Sequence, residues 1–177
     1  MISAARAWDL RQPKTRDASA VRELVEATGT LEPNTCYAYL LLCTHFAETC
    51  LLAEREGKLV GFVLAYRPPS HPEAVFVWQI GVHQDARGQG LARQLLEDLL
   101  RQPGTRGVRF VEATVGSSNE ASRRLFESFA RALGVPCEVQ PGFVSADFGP
   151  LAHEDEALYR IGPLVSGAVG YASGRQA

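Results

Sequence analysis

The sequence predicts an α/β fold in which helices flank a mixed β-sheet. Segments with the helical period and segments with the two-residue period of strands alternate along the chain, which is typical of this class. One apolar strand, over residues 74–82, runs through a glycine-rich turn into an amphipathic helix. The chain has 177 residues, of which 46% are hydrophobic, so it is long enough for one domain with a substantial core.

The composition excludes several classes of function. The net charge is −2 and no lysines or arginines cluster with aromatic residues, so we expect no nucleic-acid partner. There is no signal peptide and no apolar run of about 18 residues, which favours a cytoplasmic protein without membrane contact. The four cysteines lack metal-ligand spacing, so we expect small buried side chains and no metal.

The N-terminal region is predicted to end in a first helix. Residues 1–12 have no usable period and are predicted to be a flexible tail, while residues 14–16 have the character of a short strand. The helix spans residues 17–27, with Asp17 as its N-cap and Gly29 as its stop. It is predicted to cover the sheet.

A second helix and a hairpin follow. The helix begins after Asn34 or Thr35 and is apolar nearly all the way round, so it is either deeply buried or lines a pocket. Residues 51–56 and 58–66 are predicted to be the two strands of a hairpin. Gly57 lies between them, where the hairpin turn needs a positive φ.

The prolines of residues 67–72 then require a loop before the strand at 74–82. A leucine-faced helix over residues 90–101, a strand over 108–115 and a helix that Gly134 ends complete this part of the pattern. The sequence thus places the glycine-rich turn between the central strand and its helix.

The C-terminal region is predicted to hold two more strands, over residues 135–139 and 157–161, separated by a loop over 141–150. The small residues of 164–177 are predicted to be a flexible tail, which leaves a domain over 13–163. The sheet therefore has six to seven strands, flanked by about four helices.

The glycine-rich turn is suited to binding an anion. Gly88 and Gly90 let the backbone approach a ligand, and the N–H groups and positive dipole of the next helix face it. An ordinary tight turn is the alternative. A dinucleotide loop is excluded because Arg93 stands where its third glycine belongs, and no Gly-Lys-Ser/Thr of a Walker loop follows.

The pattern Arg87-x-x-Gly90-x-Ala92 resembles the pyrophosphate loop of the GNAT family of N-acetyltransferases. The resemblance implies the GNAT fold, in which two central strands splay, and acetyl-CoA as cosubstrate. Asn119 and Ser122 match the family's last cofactor-contacting helix, although Asn119 also suits a plain N-cap. The residues implied for cofactor binding are Ile80, Val82, Arg87, Gly88, Gln89, Gly90, Leu91, Ala92, Asn119 and Ser122.

Phe126 departs from the family pattern. Many members have a tyrosine at this place, which acts as the acid for the leaving thiolate, and Phe126 has no such group. The chemistry tolerates the change, because a thiolate leaves readily and the attacking amine mainly has to be deprotonated and held in place.

Four further segments resemble a narrower family, the L-2,4-diaminobutyrate N4-acetyltransferases of ectoine biosynthesis. They are the Asn-Thr-x-Tyr-x-Tyr-Leu helix, Val-Trp-Gln-Ile-Gly-Val, Ser-Asn-x-Ala-Ser and His-Glu-x-Glu-x-Leu-Tyr-Arg-Ile. Taken one at a time, these residues also suit core or surface positions. Glu32 stands where this family commonly has aspartate, a departure that adds one methylene to the carboxylate.

This resemblance implies acetylation of the 4-amino group of diaminobutyrate, osmoprotection as the role and a homodimer as the assembly. Glu32 and Glu156 are the implied catalytic residues. The implied substrate-binding residues are Glu32, Asn34, Thr35, Tyr37, Trp78, His153 and Glu156. Two alternatives stay open: an acetyltransferase for another small amine or a peptide, and a non-catalytic acyl-CoA-binding module.

Overall fold

Seven strands and four α-helices build the part of the chain that the computed structural model describes, residues 8–150 and 153–164. The strands are β1 (Asp9–Arg11), β2 (Leu51–Arg55), β3 (Lys58–Tyr66), β4 (Ala74–Val82), β5 (Phe110–Gly116), β6 (Cys137–Phe143) and β7 (Glu156–Ile161). The helices are α1 (Ala18–Thr28), α2 (Cys36–His45), α3 (Leu91–Leu99) and α4 (Glu120–Leu133). None of the described helices could cross a membrane.

The strands form one mixed sheet in the order β1-β2-β3-β4-β5-β7-β6. The pairs β1–β2, β2–β3, β5–β7 and β6–β7 are antiparallel, whereas β4 and β5 are parallel. The parallel register comprises three residue pairs, from Ala74 with Phe110 to Phe76 with Glu112, which agrees with central strands that splay. The predicted α/β class, strand number and helix number are confirmed.

The chain divides into two compact units that share β4. The first consists of the described residues up to Tyr66 and of Val77–Gly104, and the second of Arg67–Phe76 and the described residues from Thr105 onward. In the first unit α1 packs against α2 and β3, and it buries Val21, Leu24 and Val25 as its period predicts.

Helix α3 packs on β3 in the same unit through its leucines. Leu91, Leu95, Leu96 and Leu99 are all buried. A Cβ added at Gly61 would lie 2.9 Å from Cδ2 of Leu91, so a glycine in β3 permits the close approach of this helix. The position of α3 fixes the end of the glycine-rich turn.

Helix α2 differs from the prediction. It buries only one face, with Tyr39, Leu42 and Cys43, while Tyr37 and Leu41 are exposed. The cysteines agree with the prediction only in part. Cys43 and Cys50 are buried as expected, and burial raises the pKa of their thiols to about 11 and about 12. Cys36, at the start of α2, is exposed.

The N-terminus also differs from the prediction. Trp8 is buried, with its Nε1 donating to Gln94 Oε1 at 2.8 Å, and residues 9–11 form β1, so the tail prediction is wrong for residues 8–12. The strand predicted at 14–16 is a 3₁₀ turn. Asp17 makes no cap bond to α1, because its carboxylate binds Arg11 and the N–H of Lys14.

In the second unit α4 packs on β6 and β7, and Phe126 and Phe129 are buried there. Strand β6 extends to residue 143, beyond the predicted end, because Pro141 and Gly142 fit an edge strand with a register shift. Gly29 and Gly134 end their helices with positive φ, as predicted. The remaining parts of the two predicted tails, residues 1–7 and 165–177, lie outside the described residues.

Candidate active site

The glycine-rich turn presents an open row of backbone donors. Gly88 and Gly90 have φ values of +72° and +82°, and a Cβ at either would meet nothing within 4 Å. Glycine is therefore needed for the backbone conformation and not for space. The N–H groups of Gly88, Gln89 and Gly90 donate no hydrogen bond to any described residue. Such donors in front of the nine-residue α3 can hold an anion.

Hydrogen bonds from two side chains, those of Arg87 and Gln89, stabilise this turn. The guanidinium of Arg87 donates to the carbonyls of Val82, at 3.2 Å, and of Thr28, at 2.6 Å, the last residue of α1. Gln89 donates to the carbonyl of Asp85 at 3.0 Å. The Arg87 side chain is thus occupied within the protein, which leaves its backbone for a ligand.

A buried tyrosine and a glutamine organise the loop that contains Glu32. The hydroxyl of Tyr39 accepts a hydrogen bond from the N–H of Asn34 and donates to Oε1 of Gln79, both at 3.1 Å. Nε2 of Gln79 donates to the carbonyl of Glu32 at 3.0 Å. The sequence did not indicate a role for Tyr39 or Gln79, because neither a tyrosine in an apolar helix nor a glutamine in a strand belongs to a recognisable motif.

Trp78 lies in the same cluster. Its ring is half-buried, and its centroid is 5.8 Å from that of Tyr39. The structure thus brings Glu32, Asn34 and Trp78 together through Tyr39 and Gln79. Thr35 begins α2 without a side-chain cap bond, and 67% of the Tyr37 surface is exposed.

In the second unit, Glu156 is oriented by two neighbours. Its Oε2 accepts a hydrogen bond from Oγ1 of Thr114 at 2.5 Å, and its Oε1 lies 3.7 Å from Nε2 of His153. Nδ1 of His153 lies 2.7 Å from the carbonyl oxygen of Glu154. Because a carbonyl only accepts, Nδ1 carries a hydrogen and donates it to Glu154, and Nε2 is the ring nitrogen that faces Glu156.

The ring of His153 is also held by stacking. Phe148 lies parallel to it, with centroids 3.7 Å apart and an interplanar angle of 14°. Neither Phe148 nor Thr114 was singled out from the sequence, because both precede His153 and Glu156 and no strand or helix period links them to these residues. The stacking and the Nδ1 hydrogen bond together hold the histidine ring in one orientation.

Asn119 and Ser122 are joined at the start of α4. Oδ1 of Asn119 accepts from the N–H of Ser122 at 3.1 Å, so Asn119 is the N-cap. Phe126 is buried and its ring centroid is 6.5 Å from that of Tyr159. Phe126 therefore serves packing in the second unit.

Glu154, the other glutamate of the motif, is tied to the loop between β5 and α4. Its carboxylate accepts hydrogen bonds from both side chains of Ser117 and Ser118 and from the N–H of Ser118. The Ser117 and Ser118 hydrogen bonds lower the pKa of Glu154 from its ordinary 4.5 to about 2. A cavity of about 300 Å³ next to this loop is lined by Arg123, Phe143, Glu156 and Tyr159, among others.

Comparison with known proteins identifies relatives. The family model described as the acetyltransferase (GNAT) family matches residues 18–130. The chain is 44% identical to the L-2,4-diaminobutyric acid acetyltransferase of Bordetella parapertussis over 92% of this chain and 88% of that protein. It is 45% identical to the protein of the same name from Halalkalibacterium halodurans, over 86% of this chain and 80% of that protein.

Solved structures of acetyltransferases also match this chain. The diaminobutyrate acetyltransferase EctA of Paenibacillus lautus, in complex with its substrate L-2,4-diaminobutyric acid and coenzyme A, matches with a TM-score of 0.85 and 44% identity. The match covers 90% of this chain and 96% of that chain. An N-acetyltransferase from Staphylococcus aureus, 22% identical with a TM-score of 0.61 over 88% of this chain and 98% of its own, shares the fold.

Proposed function

Because the chain belongs to the acetyltransferase (GNAT) family, we propose that it transfers the acetyl group of acetyl-CoA to the 4-amino group of L-2,4-diaminobutyrate. The observation that carries this proposal is the similarity, over nine-tenths of the chain, to a structure that holds diaminobutyrate and coenzyme A. The product would be N4-acetyl-L-2,4-diaminobutyrate. We place the reaction in ectoine biosynthesis, in the cytoplasm of cells under osmotic stress.

The glycine-rich turn is assigned to the acyl carrier. The N–H groups of residues 88–90, followed by those of Leu91 and Ala92 in the first turn of α3, suit the pyrophosphate, and the backbone groups of Ile80 and Val82 suit the pantetheine amides. Asn119 and Ser122 are assigned further contacts with the carrier. Acetyl-CoA supplies a thioester that an amine can attack, and no metal is needed.

The substrate residues are assigned by charge. Diaminobutyrate carries two ammonium groups and one carboxylate, so Glu32 and Glu156 are each assigned an amino group. Trp78 offers its ring face to a cation. Asn34, Thr35, Tyr37 and His153 are assigned the orientation of the substrate carboxylate and of the two glutamates.

One proton must leave the substrate ammonium before its nitrogen can attack the thioester. Glu32 or Glu156 takes this proton, directly or through a water. Glu156 is the better oriented of the two, since it accepts from Thr114 and faces Nε2 of His153. The amide product retains one of the three ammonium hydrogens; of the two released, one reaches the thiolate and the other leaves to solvent.

A thiol-release assay tests the proposal. We expect a higher kcat/KM with diaminobutyrate than with ornithine, lysine or 2,3-diaminopropionate. The double variant Glu32→Gln/Glu156→Gln should lose turnover and still bind coenzyme A. Preference for another amine would favour a different acetyltransferase, and unchanged turnover in the double variant would reject both glutamates. Because Phe126 lacks the acid group of many family members, a non-catalytic acyl-CoA-binding module is the alternative function. Such a module would bind acetyl-CoA and consume none.

We further propose that two copies associate through β6. This strand is the last of the sheet, so its outer edge has no neighbour among the described strands. It carries the exposed apolar residues Val139 and Phe143, 55% and 52% exposed. Exposed apolar residues on an edge strand suit contact with another chain.

A further inference from the structure

Glu154 joins two segments to which the proposed function gives different ligands. Its Oε2 accepts from Oγ of Ser117 at 2.6 Å and from the N–H of Ser118 at 2.9 Å, and its Oε1 accepts from Oγ of Ser118 at 2.6 Å. Hydrogen bonds to a carboxylate are roughly twice as strong as those between neutral groups. This carboxylate therefore ties the segment before β7 to the loop after β5.

The Glu154 carboxylate lies directly against the end of β5. A Cβ added at Gly116 would overlap Oε1 of Glu154. Gly116 is also the residue that pairs with Glu156 in the register of β5 and β7. A glycine at the end of β5 is thus required for Glu154 to reach both serines.

On one side, the loop leads straight into the residues assigned to the acyl carrier. The N–H of Asn119 donates to the carbonyl of Gly116 at 3.0 Å, and Asn119 caps α4 through the N–H of Ser122. A shift of the loop would therefore move Asn119 and the first turn of α4 together.

On the other side, Glu154 holds the residues assigned to the substrate. Its carbonyl oxygen lies 2.7 Å from Nδ1 of His153. Nε2 of that ring faces Glu156 at 3.7 Å. One residue thus fixes the loop with its side chain and the histidine with its main chain.

Glu154 is unsuited to act as the base itself. Its carboxylate accepts three hydrogen bonds from Ser117 and Ser118, and these donors lower its pKa to about 2. A carboxylate that is so strongly favoured in its charged form is a poor acceptor for the ammonium proton. Glu156, two residues later, retains that assignment.

We infer that Glu154 is a positioning residue that makes the binding of acetyl-CoA and of the amine cooperative. The inference rests on the proposed function, since it takes Asn119 and Ser122 as carrier contacts and His153 and Glu156 as substrate contacts. A carrier that orders the loop would order the substrate segment through the Glu154 carboxylate. By linkage, the amine would strengthen carrier binding by the same factor.

Titration calorimetry of the full chain tests this inference. In the unmodified protein, coenzyme A should tighten diaminobutyrate binding by about tenfold, a typical coupling factor. Glu154→Gln should bring that factor close to one and raise KM for both substrates. Glu97→Gln is the matched control, because Glu97 accepts one surface hydrogen bond from Arg93, and it should leave the factor unchanged.

The double variant Ser117→Ala/Ser118→Ala removes two donors without changing any charge. It should reproduce the effect of Glu154→Gln, and combining all three changes should add little. A lower melting temperature with an unchanged coupling factor would reduce Glu154 to a structural residue and overturn the inference.

Amide exchange gives a test that needs no amine. Coenzyme A alone should slow exchange over residues 153–156 in the unmodified protein and not in Glu154→Gln. Equal protection in both proteins would contradict the inference. Failure of the unmodified protein to acetylate diaminobutyrate would instead contradict the proposed function, so the two failures are distinguishable.

Discussion

Glu156 and Glu32 differ in how firmly their carboxylates are held. Glu156 accepts a hydrogen bond from Thr114 and faces His153, whereas the Glu32 carboxylate accepts none from the described residues and is exposed. An oriented base needs less reorganisation before it takes a proton. At the scale of single residues, Glu156 is therefore the group whose surroundings can be tested.

Thr114→Val should lower kcat about tenfold, because a hydrogen bond to a charged group contributes ~1.5–3 kcal/mol. Thr114→Ser keeps the hydroxyl and should retain most of the activity. Steady-state kinetics with diaminobutyrate measures both. Equal kcat in the valine and serine variants would mean that the hydroxyl does not orient Glu156.

The hydrogen bonds from Ser117 and Ser118 to the Glu154 carboxylate, here called the Glu154 clamp, should also make the stability of the protein depend on pH. The folded-state pKa of Glu154 is lowered from 4.5 to about 2, so folding favours the charged form. Its contribution to stability is complete above pH 4.5 and is lost as the pH falls toward 2. Melting temperatures of the unmodified protein and of Glu154→Gln should therefore differ most above pH 4.5 and converge below it. A difference that stays constant from pH 6 to pH 3 would contradict the clamp.

The residues that the sequence predicts correctly are those whose role is local. Gly90 precedes a helix and Asn119 is the N-cap of another, and both roles can be predicted from the sequence within four residues of each position. The missed residues act over long separations: Gln79 bonds Glu32 across 47 positions, and Thr114 bonds Glu156 across 42. Side-chain periods carry no information about such pairs, because they arise from how the strands are ordered in the sheet.

At the scale of elements, the glycine-rich turn can be separated from an ordinary turn. Gly90→Ala should raise KM for acetyl-CoA at least fivefold, because alanine resists φ near +82° and would shift the N–H groups. Gly57→Ala is the control, since Gly57 has φ +73° with equally free space in the β2–β3 hairpin. It should cost similar stability, about 1 kcal/mol, without a change in KM. Equal KM effects from both variants would remove the special role of the turn.

The first helix is anchored by a network that the sequence did not reveal. Asp17 is largely buried and accepts two hydrogen bonds from Arg11 and one from the N–H of Lys14. The Arg11 hydrogen bond lowers the pKa of Asp17. The anchor joins β1 to the start of α1, which explains why the supposed tail is part of the sheet.

Asp17→Ala should destabilise the protein by ~1–3 kcal/mol, because it removes a largely buried carboxylate that accepts three hydrogen bonds, two of them from a charged guanidinium. Glu26→Ala removes an exposed pair with Arg22 of the same 2.7 Å length and should cost under about 0.5 kcal/mol. Urea unfolding measures both free energies. Equal losses would show that the network at Asp17 is no stronger than a surface ion pair.

At the scale of the whole molecule, the exposed apolar edge of β6 predicts self-association. Sedimentation should give about twice the chain mass of 19.3 kDa at micromolar concentration. Val139→Lys/Phe143→Lys should give the monomer, because two charges would have to be buried. Leu41→Lys, on the exposed face of α2, is the control. A monomer produced by the control instead would move the interface away from β6.

The division of the chain into two units that share β4 also bears on synthesis at the ribosome. The first unit has all of its segments once residue 104 has been translated, whereas the second has only residues 67–76 at that moment. At ~5–20 residues per second, the remaining described chain needs roughly 3–12 s. During this interval Ala74–Phe76 lack their partners Phe110–Glu112, which still have to be made. The glycine-rich turn can thus be complete while three residues of β4 still lack their partners in β5, and a nascent chain that stalls there exposes the unpaired edge of these residues to chaperones.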